Sequence, residues 1–313
     1  MSVTQRSIIL IDIFNTPVRS GEELLFCCPK CDHPKKKFSC NVNKNCFKCW
    51  VCGFSGRDIT RLVKRYGTYR QQQEWNRYND KIDLSSSFLS DILFGEQETD
   101  RQTVSLPEEF NTLTCNSNLT SIFPRQFLRD RGISQQDILK WKIGYCAIGE
   151  YAERIIIPSF NNEGRVDYFI ARTYKNDWIK YKNPPAQRNN IIFNELYVDW
   201  SADLVLTEGV FDAIVAGNAI PLLGSALSER SRLFQEVIKH DTAIYIALDY
   251  DAEKKAKHLI IDMIKYDIEI YKIDTKGFQD VGSMTKEEFK MRKNAAIQIT
   301  SSNLFEYQLR GIM

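Results

Sequence analysis

Glu208, Asp249 and Asp251 are carboxylates whose positions can bring them to one place. In an extended strand, residues two apart point to one side, so Asp249 and Asp251 of the segment ALDYD present a pair. Glu208 follows the apolar run Leu204 to Thr207 and can face that pair from a neighbouring strand. Three like charges held together repel unless a cation joins them. Carboxylate oxygens select a hard ion such as Mg²⁺, which keeps several waters and bridges to phosphate oxygens. One or two catalytic Mg²⁺ ions are expected here, with Mn²⁺ able to substitute.

A second set is made of sulfur. Of nine cysteines, seven fall between Cys27 and Cys52. In a reducing compartment such clustering reads as a metal site, not as disulfides. Cys28 and Cys31 form one C-x₂-C, Cys49 and Cys52 another, with seventeen residues between them. Two tight knuckles at that spacing supply four thiolates to one structural, tetrahedral Zn²⁺. Gly53 suits the turn after the last ligand. Cys27, His33, Cys40 and Cys46 compete as ligands, because Cys46-Phe-Lys-Cys49 is itself a C-x₂-C. Cys49 with Cys52 is preferred, since Gly53 and Gly56 then follow the knuckle and a helix opens near Asp58.

The chain has 313 residues and a formal charge of +2, but the charge is unevenly spread. Between Pro29 and Arg77 there are twelve Lys or Arg against Asp32, Asp58 and Glu74. Such a basic patch expects a polyanion. Lys37, Lys44 and Lys48 alternate with Phe38, Phe47, Trp50 and Phe54. Cations that follow phosphates beside rings that stack on bases suit single-stranded DNA, so Lys37, Lys48 and Trp50 are candidate DNA contacts. A small ribbon has little core, and part of these aromatics must build it. No apolar run approaches the roughly 20 residues a membrane helix needs, and the N-terminus lacks a leader's cleavage site. A soluble cytoplasmic protein without a membrane partner is expected. A P-loop is absent from the sequence.

These residues need elements to position them. Leu204 to Thr207, Ala219 to Leu223 and Ala243 to Leu248 read as strands. Helices alternate with them, one carrying Phe211, Ile214 and Val215 on a face, the other capped by Ser228 and running through His240. Strand, helix, strand, helix, strand implies a parallel sheet with its ligand site at the strand carboxyl ends, where the three carboxylates fall. Upstream, RIIIPSF and RVDYFIART read as a hairpin around Asn161 to Gly164. WIKYKNPPAQRNN follows it, basic and proline-stiffened. Phe127, Leu128, Ile138 and Leu139 have helical spacing broken by Gly132. The expected organisation is a ribbon over 1–68, a partly helical linker over 69–108, a basic α+β subdomain over 109–200, an α/β parallel-sheet subdomain over 201–290 and a tail over 291–313.

TEGVFDAI, GSALSE and ALDYDAEKKA, in that order, resemble the toprim domain shared by bacterial-type primases, topoisomerases and some nucleases. FSCNVNKNCFKCWVCGFSG resembles the N-terminal zinc ribbon of bacterial and phage primases, where His33 stands near a position that some members use as a ligand. FPRQFLRDRGISQQDILKWKIGYC, the hairpin, and the Lys-Tyr-x-Asn loop look like successive motifs of the same DnaG-type primase family. The likeness runs from Cys28 to about Phe289, and toprim topoisomerases and nucleases lack its middle part. It implies Glu208 as the first acidic residue, as metal ligand or general base, with Asp249 and Asp251 as the metal pair and Asp280 as a further Mg²⁺ ligand. It also implies that Asp212, Arg154, Arg172, Lys180 and Asn183 meet nucleotide or template, with Arg165, Lys182 and Arg188 as weaker candidates. One departure is Asn194-Glu195, where many bacterial members carry a basic residue.

The resemblance implies template-directed synthesis of short RNA primers from ribonucleoside triphosphates on single-stranded DNA. It implies a replicative helicase on a separate chain and a single-stranded-DNA-binding protein as partners. Without a helicase-binding or ATPase domain in the sequence, a stand-alone bacteriophage primase acting in the host cytoplasm is expected. Two rivals remain: a toprim nuclease or topoisomerase, and a non-catalytic zinc-ribbon DNA-binding factor.

Overall fold

Short alternating strands around the cysteine knuckles build the first region. The computed structural model describes residues 2–78, 103–114, 118–186, 190–224, 227, 231–249, 252–300, 302–304 and 306–307. It falls into two compact units, one of 1–97 with 234–241 and 260–268, the other of 98–233, 242–259 and 269–313.

In the first unit, α1 (Ser2–Phe14) precedes β1 (Val18–Ser20), β2 (Glu23–Phe26), β3 (Phe38–Asn41), β4 (Cys46–Cys49) and β5 (Ser55–Gly56). The strands pair in sequence order and antiparallel throughout. Then come α2 (Thr60–Tyr66) and α3 (Tyr69–Arg77), the latter opened by a Thr68–Gln71 capping box. Phe38, Phe47, Ile59, Leu62, Val63 and Trp75 are buried in one core with α1. Trp75 donates to Thr60 Oγ1 at 3.1 Å, so this core reaches past residue 68. Phe38 and Phe54 stack, with Phe47 against both. Those rings are the ribbon's own core, as its small size demands.

The second unit begins with β6 (Asn111–Thr112), α4 (Ile122–Asp130), α5 (Gln135–Lys140), β7 (Gly144–Cys146), β8 (Arg154–Phe160) and β9 (Val166–Thr173). These strands form an antiparallel sheet in the order β6-β7-β8-β9. Ser134 caps α5 through a reciprocal bond with Asp137. The turn of the β8–β9 hairpin is set by Asn161, whose Oδ1 accepts from the amides of Glu163 and Arg165 at 3.0 Å each.

Next come β10 (Leu204–Thr207), α6 (Val210–Ala216), β11 (Ala219–Pro221), α7 (Arg232–His240), β12 (Ile244–Ala247), α8 (Glu253–Ile264), β13 (Ile270–Lys272), α9 (Lys286–Asn294) and β14 (Ile297–Ile299). Their sheet runs β11-β10-β12-β13-β14, parallel except for the last pairing. Leu204, Val205, Leu206, Ile244, Ile246 and Ala247 are all at most 1% exposed, as a parallel strand covered on both faces requires. Ser228 lies outside the described residues. The α+β and α/β architecture expected from the sequence is the one observed.

Candidate functional site

The two cysteine knuckles have the same local build. In each, the amide four residues after the first cysteine donates back to that cysteine's carbonyl, Asp32 to Cys28 at 3.0 Å and Gly53 to Cys49 at 3.1 Å. Both closing residues have positive φ, +50° for Asp32 and +70° for Gly53, a backbone that aspartate tolerates and glycine adopts freely. Among the described residues, the sulfurs of Cys28, Cys31, Cys49 and Cys52 lie within 4.8 Å of one another. Cys28 and Cys52 are 3.8 Å apart, and Cys31 and Cys49 3.9 Å. A tetrahedral Zn²⁺ with Zn–S bonds of about 2.3 Å requires S···S edges of about 3.8 Å, so the donor set fits that ion.

The thiols are electrostatically uneven. Burial pushes Cys28 and Cys49 up. It also pushes at Cys52, where the Phe54 amide and the neighbouring thiols outweigh it and bring the group down. A divalent cation is what would make all four thiolates together. The competing ligands lie elsewhere. Cys40 and Cys46 are sealed in the sheet, Cys27 bonds to Pro34 O at 3.5 Å, and His33 Nδ1 accepts from the Lys35 amide at 3.2 Å.

Parallel pairing assembles the acidic end. Thr207 is opposite Ala247, so β10 and β12 deliver Glu208 and Asp249 to the same sheet edge. Asp251 lies outside the described residues. Lys255, early in α8, has its ammonium 3.9 Å from Glu208 Oε1. Asp280 is at the start of the short turn Val281–Ser283 that packs on α6.

Asp212 does something the sequence did not disclose. Its two oxygens accept from the amides of Gly209 at 2.8 Å and Gly282 at 2.7 Å. It ties the loop after β10 to the loop carrying Asp280. A Cβ on either glycine would stand 3.0 Å from one of those oxygens, so a larger residue there would press on the carboxylate. The carboxyl is 6% exposed. Burial raises it to about 6, with Asp280 and Glu208 adding to the rise and the two amides opposing it. With both oxygens engaged by backbone, Asp212 positions the loops; the expected contact with nucleotide or template is not what the geometry offers.

The basic candidates divide in the same way. Arg172 donates to Tyr181 Oη at 2.7 Å and lies over the Phe127, Tyr181 and Phe211 rings. Lys180 is exposed on the loop after β9. Arg154, by contrast, is 6% exposed and bonds Ile179 O at 3.0 Å and Asp177 Oδ2 at 2.9 Å. Asn183 Oδ1 accepts from the Ala171 amide at 3.2 Å. Both brace the loop after β9. Arg165 pairs with Glu163, Lys182 with Glu150, and Arg188 is outside the described residues. Asn194-Glu195 is a buried strut, Asn194 accepting from the Phe160 amide and Glu195 pairing with Arg232.

Arg131 was missed by sequence reasoning. Its guanidinium lies over Phe127 at 5.1 Å and Phe211 at 4.9 Å. Burial and then Arg172 lower its proton affinity, while Tyr181, Asp280 and Asp212 hold it up. It therefore shares the Phe127 and Phe211 rings with Arg172, within electrostatic reach of Asp280 and Asp212. The available signal was its place at the α4 terminus, directly before the Gly132 break.

On the ribbon, Lys48 lies 4.8 Å over the Trp50 ring, and Trp50 meets Tyr266 edge-on. Lys37 is 1% exposed, its ammonium held by Ile238 O at 3.0 Å and by Asp241. Buried and paired within its unit, Lys37 is an anchor and not a surface for DNA.

No model of a known protein family matches the chain. Its sequence is 22% identical, over 301 aligned positions, to a DNA primase of Helicobacter pylori J99, covering 81% of this chain and 52% of that protein. The chain thus spans about half the length of the curated relatives it first matches. Its fold is similar to the zinc-binding and RNA polymerase domains of Aquifex aeolicus primase, with TM-score 0.50, 19% identity and coverage of 95% of this chain and 86% of that one. It is also similar to a DnaG primase catalytic domain solved bound to single-stranded DNA, with TM-score 0.51, 17% identity and coverage of 63% and 77%. By sequence and by fold, the chain is similar to bacterial DnaG-type DNA primases.

Proposed function

We propose that this chain synthesises short RNA primers on a single-stranded DNA template by Mg²⁺-dependent nucleotidyl transfer in the cytoplasm. One observation carries the reading: adjacent parallel strands bring Glu208 and Asp249 to one sheet edge. Oxygen donors of this kind fit Mg²⁺. Glu208, Asp249 and Asp251 would hold it, with Asp280 as a further ligand. Bound there, the ion supplies activation of a ribose 3′-hydroxyl and neutralises charge on the departing pyrophosphate.

The chain's own residues do the positioning. Asp212 fixes the loops that carry Glu208 and Asp280. Arg131 and Arg172 offer planar donors to phosphate oxygens, held in place by the Phe127 and Phe211 rings. The Cys28, Cys31, Cys49 and Cys52 site would carry one structural Zn²⁺, and the ribbon would select where synthesis starts. Partners under this reading are ribonucleoside triphosphates, a replicative helicase and a single-stranded-DNA-binding protein.

Labelled ribonucleotides, a single-stranded template and Mg²⁺ test the proposal. Wild type yields oligoribonucleotides, and Asp249→Asn lowers the yield at least about a hundredfold with zinc content unchanged. Primer synthesis by that variant at the wild-type rate removes Asp249 from the mechanism. Cleaved template without incorporation indicates a toprim nuclease instead.

A further inference from the structure

Trp178 is 97% exposed, more than any other large apolar side chain among the described residues. An indole left in water forgoes a large hydrophobic gain, which is unremarked on a loose loop. This loop is pinned. Buried Arg154 holds Asp177 by its side chain and Ile179 by its carbonyl, and Asp177 Oδ1 accepts from the Ile179 amide at 3.1 Å. Both chain neighbours of Trp178 are clamped while its ring is left outside.

The surroundings state which partner fits. Phe123 is 65% exposed with the Lys175 ammonium 5.4 Å over its ring, and Tyr181 is 45% exposed beside Arg172. Residues 172–182 contain Arg172, Lys175, Lys180 and Lys182. Lys175 and Lys182 pair with Glu153 and Glu150, and the one carboxylate of the segment, Asp177, is held by Arg154. Among the described residues, that leaves Arg172 and Lys180 as its cations without a carboxylate partner. Aromatic faces set among cations suit a polyanion with flat bases. We propose that Trp178 is a stacking platform for a base of single-stranded DNA, with Lys180 meeting the adjoining phosphate. Three Cα steps, about 10 Å at most, lead from it to Tyr181, which bonds Arg172, and Arg172 shares the Phe127 and Phe211 rings with Arg131. A strand lying on the indole therefore lies close to the Arg172 guanidinium. The identity of that strand as template rests on the primer-synthesis reading above.

The test is fluorescence anisotropy of the zinc-loaded full chain with labelled oligo-dT at several salt concentrations. Trp178→Ala is expected to weaken binding about ten- to a hundredfold, with Trp178→Phe retaining most of the affinity. The salt slope stays the same in Trp178→Ala, because stacking displaces no counterion, and falls by about 0.7 in Lys180→Ala. Oligonucleotide affinity equal to wild type in a folded Trp178→Ala variant overturns the proposal and makes the indole an anchor for a protein. Because binding is the readout, the two readings fail separately. Weakened binding in Trp178→Ala supports the platform even if wild type makes no primers, and unchanged binding sinks it even if primers form.

Discussion

The thiol tetrad and the carboxylate edge are both cation sites, but they are assembled at different ranges. Each cysteine knuckle is closed by hydrogen bonds within five residues, and one β-hairpin brings the two knuckles together. The carboxylate edge draws Glu208 from β10, Asp249 from beyond β12 and Asp280 from a loop some seventy positions from Asp212, to which that loop is bonded. The soft site is encoded by spacing, and the hard site by sheet order. A site built locally from four thiolates leans on its metal for stability, because the charges it gathers repel without the cation. A site built by topology exists before the metal arrives.

That contrast can be broken most severely at the thiols. Chelation, or Cys49→Ser, should unfold the strands around the knuckles, because a structural Zn²⁺ is worth on the order of 10 kcal/mol to a small domain. Loss of amide protection over 23–56 with protection retained over 204–207 and 244–247, read by hydrogen exchange, is the expected pattern. Equal loss in both regions would erase the distinction.

A smaller effect is expected at Lys37 and Asp241. Asp241→Asn leaves a buried ammonium without its counter-charge and should cost about 3 kcal/mol or more, whereas Lys37→Met should be close to neutral. Burial opposes ionisation of Asp241, but Lys37 and Lys35 prevail and lower its proton affinity. Its contribution is therefore present above the ordinary aspartate range and lost as pH falls through the lowered value. Denaturant midpoints of the two variants check the asymmetry.

The smallest effect sharpens the topological site. Asp212, raised to about 6, binds a proton more readily folded than unfolded. Stability linked to it is fullest below the unfolded value near 4 and declines as pH rises through about 6, by roughly 3 kcal/mol at most. Urea titrations without divalent cation should show this decline in wild type and lose it in Asp212→Asn. A wild-type profile flat between pH 4 and 7 would show that the two glycine amides hold the carboxylate ionised throughout.

Much of this was legible before any coordinates. The C-x₂-C spacing pointed to the four thiols, and apolar runs ending in acidic residues pointed to a parallel sheet with carboxylates at its edge, because both are short-range patterns of the chain. The family resemblance singled out Arg154, Asn183 and Asp212, and the basic patch Lys37, but neither showed their partners. Asp212 is bonded to Gly282, Lys37 to Asp241 and Arg154 to the Asp177–Ile179 loop. Arg131 and Trp178 were passed over for the converse reason, since neither stands in a pattern of spacing. One gains its place from the rings and carboxylates that packing sets beside it, the other from a buried arginine that holds its neighbours. The sequence by itself determined which chemistries this protein carries, soft thiolate and hard carboxylate, and the strands that bear them. Only the tertiary structure decided which charged side chains face a ligand and which are consumed in holding the fold, because that depends on partners brought together from distant parts of the chain.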